Sequence, residues 1–511
     1  MLKASNLWDL IEKRADTTPD ATFLINETGD TVTFAAYRDR VERVAAGLIE
    51  VAGISEGMVV SWQLPTWIES VVVVSALSRI GALQNPLVPI YREKEVGFIC
   101  GQLDSDALIV PGEWRGFDYT AMAETIAAGA DALRVITFDG DLPEADPADL
   151  PAAPGTGDDI GWYFYTSGTT SEPKGARHTD QSVMHSGLVN ADAVEMDASD
   201  VVLLVFPFTH IGGISIMCSA LMTGAAIALV EAFAPDTTAE AIKRAGVTIG
   251  SGATPIHQAF LAVERSRPDD DLFATVRVWP SGGAPIPPAL HFEMKGVGTP
   301  DNAGIVSGYG LTESPILTMN RLGDDDELKA NTEGRPTVGV ELRLVTLDDK
   351  IAGIGEEGEI RAKAPQLMQG YVNSSLNGDA FDDDGWFRTG DLGHQDANGY
   401  VTITGRLKDV IIRKGENISA LEVENLLYEH PKVTEVAVIG LPDADLGERC
   451  CAVVALDAQA DGTLEFGEMV AFCKEKGLMN QKIPEQLEIV DALPRNNTGK
   501  VLKHVLQSEY K

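Results

Sequence analysis

Residues 201–230, VVLLVFPFTHIGGISIMCSALMTGAAIALV, contain no Asp, Glu, Lys or Arg. The stretch is long enough to cross a bilayer, but turn-forming residues interrupt it repeatedly. Pro207, Gly212, Gly213 and Gly224 interrupt it, and His210 lies between the proline and the first glycine. We therefore predict a buried strand over 201–206, a loop, a helix over about 213–222, a second strand over 225–230, and no membrane span. Such a loop at a strand end is where α/β folds place ligands.

Strand-like and helix-like segments also alternate on both sides of this stretch. The predicted strands, each followed by a helix, are 59–65, 247–254 and 276–283. This alternation predicts an α/β fold with mostly parallel, doubly wound sheets in a large N-terminal domain. Short β runs after residue 340 predict a small β-rich subdomain. Residues after 409 predict a compact α+β C-terminal domain.

The composition narrows the classes of function. The 511 residues include 40 Lys and Arg against 77 Asp and Glu, which gives a formal net charge of −37. A field of that sign repels nucleic acid and anionic lipid, so we predict no nucleic-acid partner. The five cysteines form no CxxC pair and no Cys/His ligand spacing, and the N-terminus carries charges throughout. These features predict a cytoplasmic protein without structural zinc.

The segment YTSGTTSEPKG at residues 165–175 follows the strand-like run WYFY. Its hydroxyl groups, its glycines and Lys174 offer many hydrogen-bond donors and little bulk, which suits a loop that closes over a polyphosphate. The Walker A order Gly-x-x-x-x-Gly-Lys-Ser/Thr is absent. A loop of this composition is not specific by itself, so the other motifs of the chain decide its interpretation.

Further motifs recur in order along the chain. They are FPFTH at 206–210, SGGA at 281–284, GYGLTES at 308–314, GWFRTGD at 385–391, GRLKD at 405–409 with KGENI at 414–418, and PRNNTGK at 494–500. With these motifs the chain resembles the adenylate-forming superfamily of acyl-CoA synthetases, firefly-type luciferases and peptide-synthetase adenylation domains. The resemblance covers nearly the whole chain, and it is closest to AMP-forming ligases of medium-chain, cyclic or aromatic acids.

The resemblance implies a reaction in two steps. A carboxylate attacks the α-phosphorus of ATP and expels pyrophosphate, and the acyl-adenylate then reacts with coenzyme A to give acyl-CoA and AMP. ATP, Mg²⁺ and coenzyme A are therefore the expected cofactors, and a small carboxylic acid is the expected partner. Three alternatives stay open: transfer to a carrier-protein thiol, a luciferase-like oxygenase, and a catalytically silent nucleotide-binding relative. The sequence does not decide the oligomeric state, and a homodimer is one alternative.

The same resemblance implies roles for residues of each motif. The residues expected at the β- and γ-phosphates are Thr166, Ser167, Gly168, Thr169, Thr170 and Lys174. The residues expected around adenine are Gly282, Gly283, Ala284, Gly310 and Tyr309, which would stack on the base. The expected catalytic residues are Thr312 at the α-phosphate, Glu313 at magnesium, Lys500 at the α-phosphate and acyl carboxylate, and His210 as a gate. Thr170 is the second expected metal ligand.

The later motifs imply ribose contacts and a domain rotation. Asp391 would accept both ribose hydroxyls, and Arg406 would brace the ribose or a phosphate. The family rotates its small domain between the two half-reactions. This implies an adenylation domain over 1–405 and a mobile C-terminal domain over 406–511, with its hinge near Lys408. Gly415 would face the pantetheine tunnel in the thioester conformation.

The acyl group is predicted from the surroundings of His210. Peptide-synthetase domains carry an Asp near this position, and FPFTH contains no acid, so an amino-acid substrate is disfavoured. Acetate-specific relatives carry Trp where this chain has Gly310, which predicts a deeper pocket. The expected pocket residues are Ile211, Gly212, Gly213, Thr254, Pro255, Ser307, Gly308 and Ile316. This small and mostly apolar set favours a medium-chain, branched, alicyclic or aromatic carboxylate.

Overall fold

The structure is a computed structural model that describes residues 1–130, 132–138, 140–166, 172–414, 416–443, 445–457, 462–495 and 501–511. Contacts within the chain divide it into two compact units. The first unit contains residues 1–166, 173–341 and 363–381, and the second contains residues 342–362 and 382–511. The domain boundary after residue 405 and the hinge at Lys408 were inferred from the rotation of the small domain between the two half-reactions. Both stay predictions.

The first unit alternates strands and helices along most of its length. Its strands are β1 (Thr22–Ile25), β2 (Thr31–Thr33), β3 (Val59–Trp62), β4 (Leu83–Pro86), β5 (Ala107–Pro111), β6 (Glu113–Trp114), β7 (Phe117–Asp118), β8 (Arg134–Phe138), β9 (Ile160–Thr166), β10 (Lys174–Thr179), β11 (Val201–Leu204), β12 (Ala226–Leu229), β13 (Trp279–Gly282), β14 (Ile305–Leu311), β15 (Ser314–Met319) and β16 (Arg335–Pro336). Its helices are α1 (Leu7–Thr17), α2 (Phe34–Ala52), α3 (Ile68–Ile80), α4 (Glu93–Leu103), α5 (Tyr119–Ala127), α6 (Asp180–Ala193), α7 (Ile211–Thr223), α8 (Pro235–Ala245), α9 (Thr254–Ser266), α10 (Pro288–Met294), α11 (Asp326–Asn331) and α12 (Asn377–Ala380).

Parallel pairing dominates the inner strands of this unit. One sheet has the order β10-β9-β4-β3-β5-β8, in which β9, β4, β3, β5 and β8 run parallel and β10 is antiparallel to β9. A second has the order β11-β12-β1-β2, and a third has the order β13-β14-β15-β16. Helices are the usual connections between parallel neighbours. The predicted α/β fold is therefore confirmed.

The charge-free stretch 201–230 forms β11, α7 and β12, as its sequence predicts. Nearly all of its side chains are buried, and α7 ends where Gly224 adopts a φ of +92°. Glycine suits this left-handed position because it has no Cβ. Within the described residues, no helix combines the length and the apolar character that a membrane crossing requires.

The strand predicted over 247–254 is wrong as a continuous element. Residue Ile249 makes single parallel bridges to Val202 and Val278, and Gly252 makes one to Ser281. At Gly250 the backbone lies close to Trp279, since a Cβ there would lie 2.4 Å from the ring. The segment therefore passes between β11 and β13 without forming a regular ladder.

From residue 341 onward, short strands dominate. They are β17 (Glu341–Val345), β18 (Gly358–Lys363), β19 (Phe387–Gln395), β20 (Val401–Arg406), β21 (Val410–Arg413), β22 (Glu416–Ser419), β23 (Val433–Asp443), β24 (Gly447–Leu456) and β25 (Gln486–Val490). The helices in this part are α13 (Ala420–Tyr428), α14 (Phe466–Glu475) and α15 (Lys503–Glu509). One sheet has the order β17-β18-β19-β20, and the other has the order β22-β21-β24-β23 with β25 beside β24. The predicted β-rich segment and α+β segment are both present.

Candidate active site

Strand β10 carries Lys174 and is fixed along both edges. On one side Lys174 pairs with Thr166 and Gly175 pairs with Tyr165 of β9. On the other side the Val372 N–H donates to the Gly175 carbonyl at 2.8 Å. A Cβ at Gly175 would lie 2.7 Å from the Tyr165 ring and 2.9 Å from Val372, so glycine is required for this close approach. The backbone of Lys174 therefore has a fixed position at the start of β10.

Glu313 lies beside this strand, and a tyrosine bridges the two. The Tyr371 hydroxyl donates to Glu313 Oε1 at 2.7 Å, and Lys174 Nζ lies 5.7 Å from the centroid of the Tyr371 ring. Glu313 is 8% exposed, and its backbone carbonyl accepts from the Met368 N–H at 2.8 Å. Burial, reinforced by the Glu313 charge, raises the pKa of Tyr371, so its hydroxyl stays a hydrogen-bond donor.

A buried histidine holds the neighbouring residue Thr312. Nε2 of His178 lies 2.9 Å from the Thr312 carbonyl oxygen, and Nδ1 lies 3.0 Å from Ser182 Oγ. A carbonyl only accepts hydrogen bonds, so Nε2 carries the hydrogen. Burial lowers the pKa of His178 to about 4, which keeps the ring neutral near pH 7. The backbone of the Thr312–Glu313 pair is thus fixed from the β10 side.

The glycine motifs predicted to surround adenine lie on adjacent strands. β13 and β14 run parallel, with Gly282 opposite Gly308. A Cβ at Gly282 would lie 3.0 Å from the Gly308 carbonyl oxygen, and Gly283 has a φ of +80°. The structure therefore brings the 282–284 and 308–310 segments together, and glycine gives them the close backbone approach that the sequence suggested.

Gly310 has a structural role besides the one predicted for it. A Cβ at this position would lie 2.3 Å from the Ile316 backbone nitrogen and 2.9 Å from the Ser314 carbonyl oxygen. Ile316 itself has a φ of +53°, which is unusual for a β-branched residue. The tight β14–β15 turn thus requires glycine at 310. The presence of glycine there is therefore not, by itself, evidence for a deep acyl pocket.

The predicted gate, His210, caps helix α7. Its Nδ1 accepts a hydrogen bond from the Gly212 N–H at 3.1 Å, and its ring stands edge-on to Phe206 with centroids 6.5 Å apart. A Cβ at Gly212 would lie 3.3 Å from the Phe206 ring, whereas one at Gly213 would lie 2.5 Å from the Phe208 carbonyl oxygen. The two glycines therefore differ: Gly212 faces side chains, and Gly213 faces backbone.

The hydroxyl groups of the predicted acyl pocket are bonded within the protein. Thr254 donates to the Pro285 carbonyl at 2.8 Å. Ser307 donates to the Thr332 carbonyl at 2.9 Å and accepts from the Asn320 amide at 2.8 Å. Ile211 is buried, and Pro255 lies in the first turn of α9. These hydroxyl groups therefore already form hydrogen bonds within the protein. The predicted pocket residues offer a ligand mainly apolar surface.

In the second unit, Asp391 and Arg406 form an ion pair. They are opposite each other in the β19–β20 ladder, and Arg406 Nε lies 2.9 Å from Asp391 Oδ1. The Asp391 side chain is 4% exposed. Lys408 lies in a short 3-10 turn next to Asp409, and burial lowers the pKa of Lys408 although Asp409 opposes the effect. The ribose and hinge roles of these residues stay predictions.

Some predicted site residues lie outside the described residues. They are Ser167, Gly168, Thr169, Thr170, Gly415 and Lys500. Thr166 is described, and its hydroxyl lies 3.5 Å from the Lys174 carbonyl oxygen.

The described residues fit a magnesium ion that is bound by one carboxylate together with substrate phosphates. Among the residues that the structure describes, no group of three or more His, Cys, Asp or Glu side chains converges as a metal cage. Mg²⁺ seldom uses such a cage, because it usually combines one or two carboxylates with water and substrate phosphates. Glu313 would supply the carboxylate, with Lys174 at the phosphates, so the residues present fit this ion.

Comparison with protein families decides the classification. A family model described as AMP-binding enzyme matches residues 11–372, and one described as AMP-binding enzyme C-terminal domain matches residues 422–500. The chain belongs to the adenylate-forming superfamily. It is an adenylate-forming ligase with a large N-terminal and a small C-terminal domain, which confirms the resemblance seen in its motifs.

Individual relatives span nearly the whole chain. It is 31% identical to the medium-chain fatty-acid–CoA ligase of Escherichia coli K12, over 99% of this chain and 90% of the relative. It is also 31% identical to the salicyl-AMP ligase / salicyl-S-ArCP synthetase of Mycobacterium tuberculosis, over 93% and 85%. The o-succinylbenzoate CoA synthetase of Bacillus subtilis, solved with its acyl-adenylate intermediate, superposes with a TM-score of 0.87 at 28% identity, covering 99% of each chain.

Three neighbours of this site were not predicted from the sequence. Tyr371, His178 and Phe206 contact Glu313, Thr312 and His210, respectively. Phe206 begins the FPFTH motif at 206–210. Tyr371 follows the dipeptide Gln369–Gly370 in a stretch without a recognised motif. Its place beside the site follows only from the bridge that it makes to Ala176 of β10.

Proposed function

We propose that this chain is an AMP-forming acyl-CoA ligase for a medium-chain, branched, alicyclic or aromatic carboxylate. The observation that carries the adenylation step is the arrangement of Lys174 and Glu313 around Tyr371. It joins a cation suited to polyphosphate with a carboxylate suited to magnesium, and adenylation requires both because several anions meet. An apolar acyl group is supported by the hydroxyl groups of Thr254 and Ser307, because both donate hydrogen bonds within the protein.

Each residue has a distinct task in this proposal. Lys174 binds the β- and γ-phosphates, and Thr312 binds the α-phosphate from a backbone that His178 holds in place. Glu313 holds Mg²⁺, which when bound neutralises charge on the phosphate oxygens. His210 stands at the acyl carboxylate, with the Phe206 ring beside it.

A second candidate function is loading of a carrier protein. The relative named salicyl-AMP ligase / salicyl-S-ArCP synthetase is as similar to this chain as the medium-chain ligase is. Both functions use the same adenylation step, and they differ only in the thiol that accepts the acyl group. The presence of Lys500, Glu313 and Asp391 together argues against a catalytically silent relative.

The decisive assay measures pyrophosphate release with ATP and Mg²⁺ across a panel of acids. The panel contains acetate, hexanoate, decanoate, cyclohexanecarboxylate, benzoate and cinnamate, each with and without coenzyme A. We expect release to rise with coenzyme A for one class larger than acetate, with acyl-CoA as product. Release that ignores coenzyme A but rises with a phosphopantetheinylated carrier protein would favour the second candidate. No release with any acid would contradict both.

We expect Gly212→Ala to narrow the range of acids. Alanine suits this helical position, but its methyl group would lie 3.3 Å from both the Phe206 ring and His210 Nδ1. The ratio of kcat/KM between large and small acids should fall about tenfold, as expected for the loss of pocket space of this size. Gly101→Ala is the matched control, because a Cβ at this helical glycine meets no atom within 4 Å. An unchanged acid profile would show that Gly212 does not line the pocket.

We also propose a cytoplasmic location. All five cysteines lie in the described residues, and each is a buried free thiol. Burial raises the pKa of both Cys218 and Cys450, so these thiols stay protonated and unreactive. Free thiols are the rule in reducing compartments. Fractionation of the source cells tests the location.

A further inference from the structure

Tyr371 has a backbone that the surrounding structure fixes on two sides. It makes an antiparallel bridge to Ala176 of β10. Its own N–H donates to Asn377 Oδ1 at 2.9 Å. Because β10 also begins with Lys174, the position of the tyrosine backbone is tied to the position of that lysine.

The hydroxyl of Tyr371 occupies one oxygen of a nearly buried carboxylate. It donates to Oε1 of Glu313 at 2.7 Å. An unrestrained glutamate samples several rotamers, and fixing a long side chain costs conformational entropy. A donor on Oε1 restricts that freedom before any ligand binds, and we expect the carboxylate to meet a cation through its other oxygen.

We propose that Tyr371 is a positioning residue that holds the Glu313 carboxylate at a fixed place relative to Lys174, ready for a magnesium–polyphosphate complex. The inference rests on the proposed function, because it assigns that complex to this site. Residues that orient a metal ligand through a hydrogen bond typically change metal affinity or activity 10- to 100-fold when they are removed. The same range is the expected effect here.

The test compares Tyr371→Phe with Tyr119→Phe. The phenylalanine at 371 keeps the ring beside Lys174 and removes only the hydroxyl. Tyr119 is a matched control in the same unit, since it is also buried and its hydroxyl donates to the Pro89 carbonyl at 2.8 Å. Binding of Mn²⁺ in the presence of ATP is followed by electron paramagnetic resonance, and the Mg²⁺ dependence of pyrophosphate release is measured with the best acid of the panel.

We expect Tyr371→Phe to raise the half-saturating concentration of both ions about 10- to 100-fold, with ATP binding in metal-free buffer unchanged. Tyr119→Phe should give the wild-type metal curves. Metal curves of Tyr371→Phe that superpose on wild type would overturn the inference, as would a lower rate at saturating metal with an unchanged half-saturating concentration. If wild type itself shows no ATP-dependent Mn²⁺ binding, the proposed function fails rather than the positioning role.

A double variant keeps the inference testable if Tyr371→Phe folds poorly. In the Glu313→Ala background the Tyr371 hydroxyl has no side-chain oxygen to orient. We therefore expect Tyr371→Phe to add less than a twofold further change in Mn²⁺ affinity there, although any folding defect would persist and show in the thermal midpoint. Independent, multiplicative effects of the two substitutions would overturn the proposal.

Discussion

Glu313→Gln is expected to slow formation of the acyl-adenylate about a thousandfold, which is the scale of losing one preorganised charge contact in an active site. Glutamine keeps the shape of the side chain, and its carbonyl oxygen can still accept the Tyr371 hydrogen bond. Only the negative charge is lost. A neutral amide is a weak ligand for Mg²⁺, so the charge on the phosphates would remain uncompensated at the moment of transfer.

The measurement is a single-turnover assay of acyl-adenylate formation over a range of Mg²⁺ concentrations. Glu359→Gln serves as the control, because Glu359 is a similarly buried glutamate, paired with Arg361 at 2.8 Å in the second unit. We expect the control to lower the thermal midpoint and to leave the Mg²⁺ dependence unchanged. A Glu313→Gln rate within tenfold of wild type at all Mg²⁺ concentrations would contradict the metal role of Glu313.

The fold was predictable where the chain carries local signals. Pro207 and Gly224 divide an uncharged stretch of 30 residues, and they fall just after β11 and at the end of α7. Both signals act on their own backbone, through a fixed φ or a left-handed cap. The strand predicted over 247–254 depends on pairing with distant residues: Ile249 bridges Val202 and Val278, but these bridges do not extend into a ladder.

The candidate site divides in the same manner. Its motif residues could be predicted because their types and order resemble a known family. Tyr371 could not, since it lies 58 residues from Glu313 in sequence and reaches it only through pairing with β10. Likewise, His178 reaches Thr312 across 134 residues. Contacts of this length follow from packing of whole elements, and no local pattern encodes them.

In the predicted acyl pocket, a glycine can be explained either by space for the substrate or by a close backbone contact. Gly310 was interpreted as space for the acyl group, and the structure shows a backbone contact that would exclude any side chain there. At Gly212, the three atoms nearest to a Cβ all belong to side chains. Of these two glycines, only the second can be replaced without moving backbone, which is why the pocket prediction is tested at Gly212.

Lys500→Ala is expected to abolish adenylation, with a loss of about a thousandfold or more, and to spare thioester formation from a supplied acyl-adenylate. By the family resemblance, Lys500 contacts the α-phosphate and the carboxylate only in the first half-reaction. Among the described neighbours in sequence, Arg495 makes an antiparallel bridge to Val501, and the Leu502 N–H donates to the Pro494 carbonyl at 2.7 Å. Neither contact is made by Lys500, so we expect alanine at 500 to remove a charge and to leave both contacts in place.

The two half-reactions separate this role from a general structural one. The assay measures pyrophosphate release from ATP and acid, and separately the conversion of synthetic acyl-adenylate and coenzyme A to acyl-CoA. Lys476→Ala is the control, because Lys476 is a lysine of the same unit with a partly exposed side chain, bonded to Glu429, and both rates should be unchanged. Equal loss of both half-reactions in Lys500→Ala would contradict the assignment, since a residue used in one step alone cannot slow both steps equally unless the fold itself has changed.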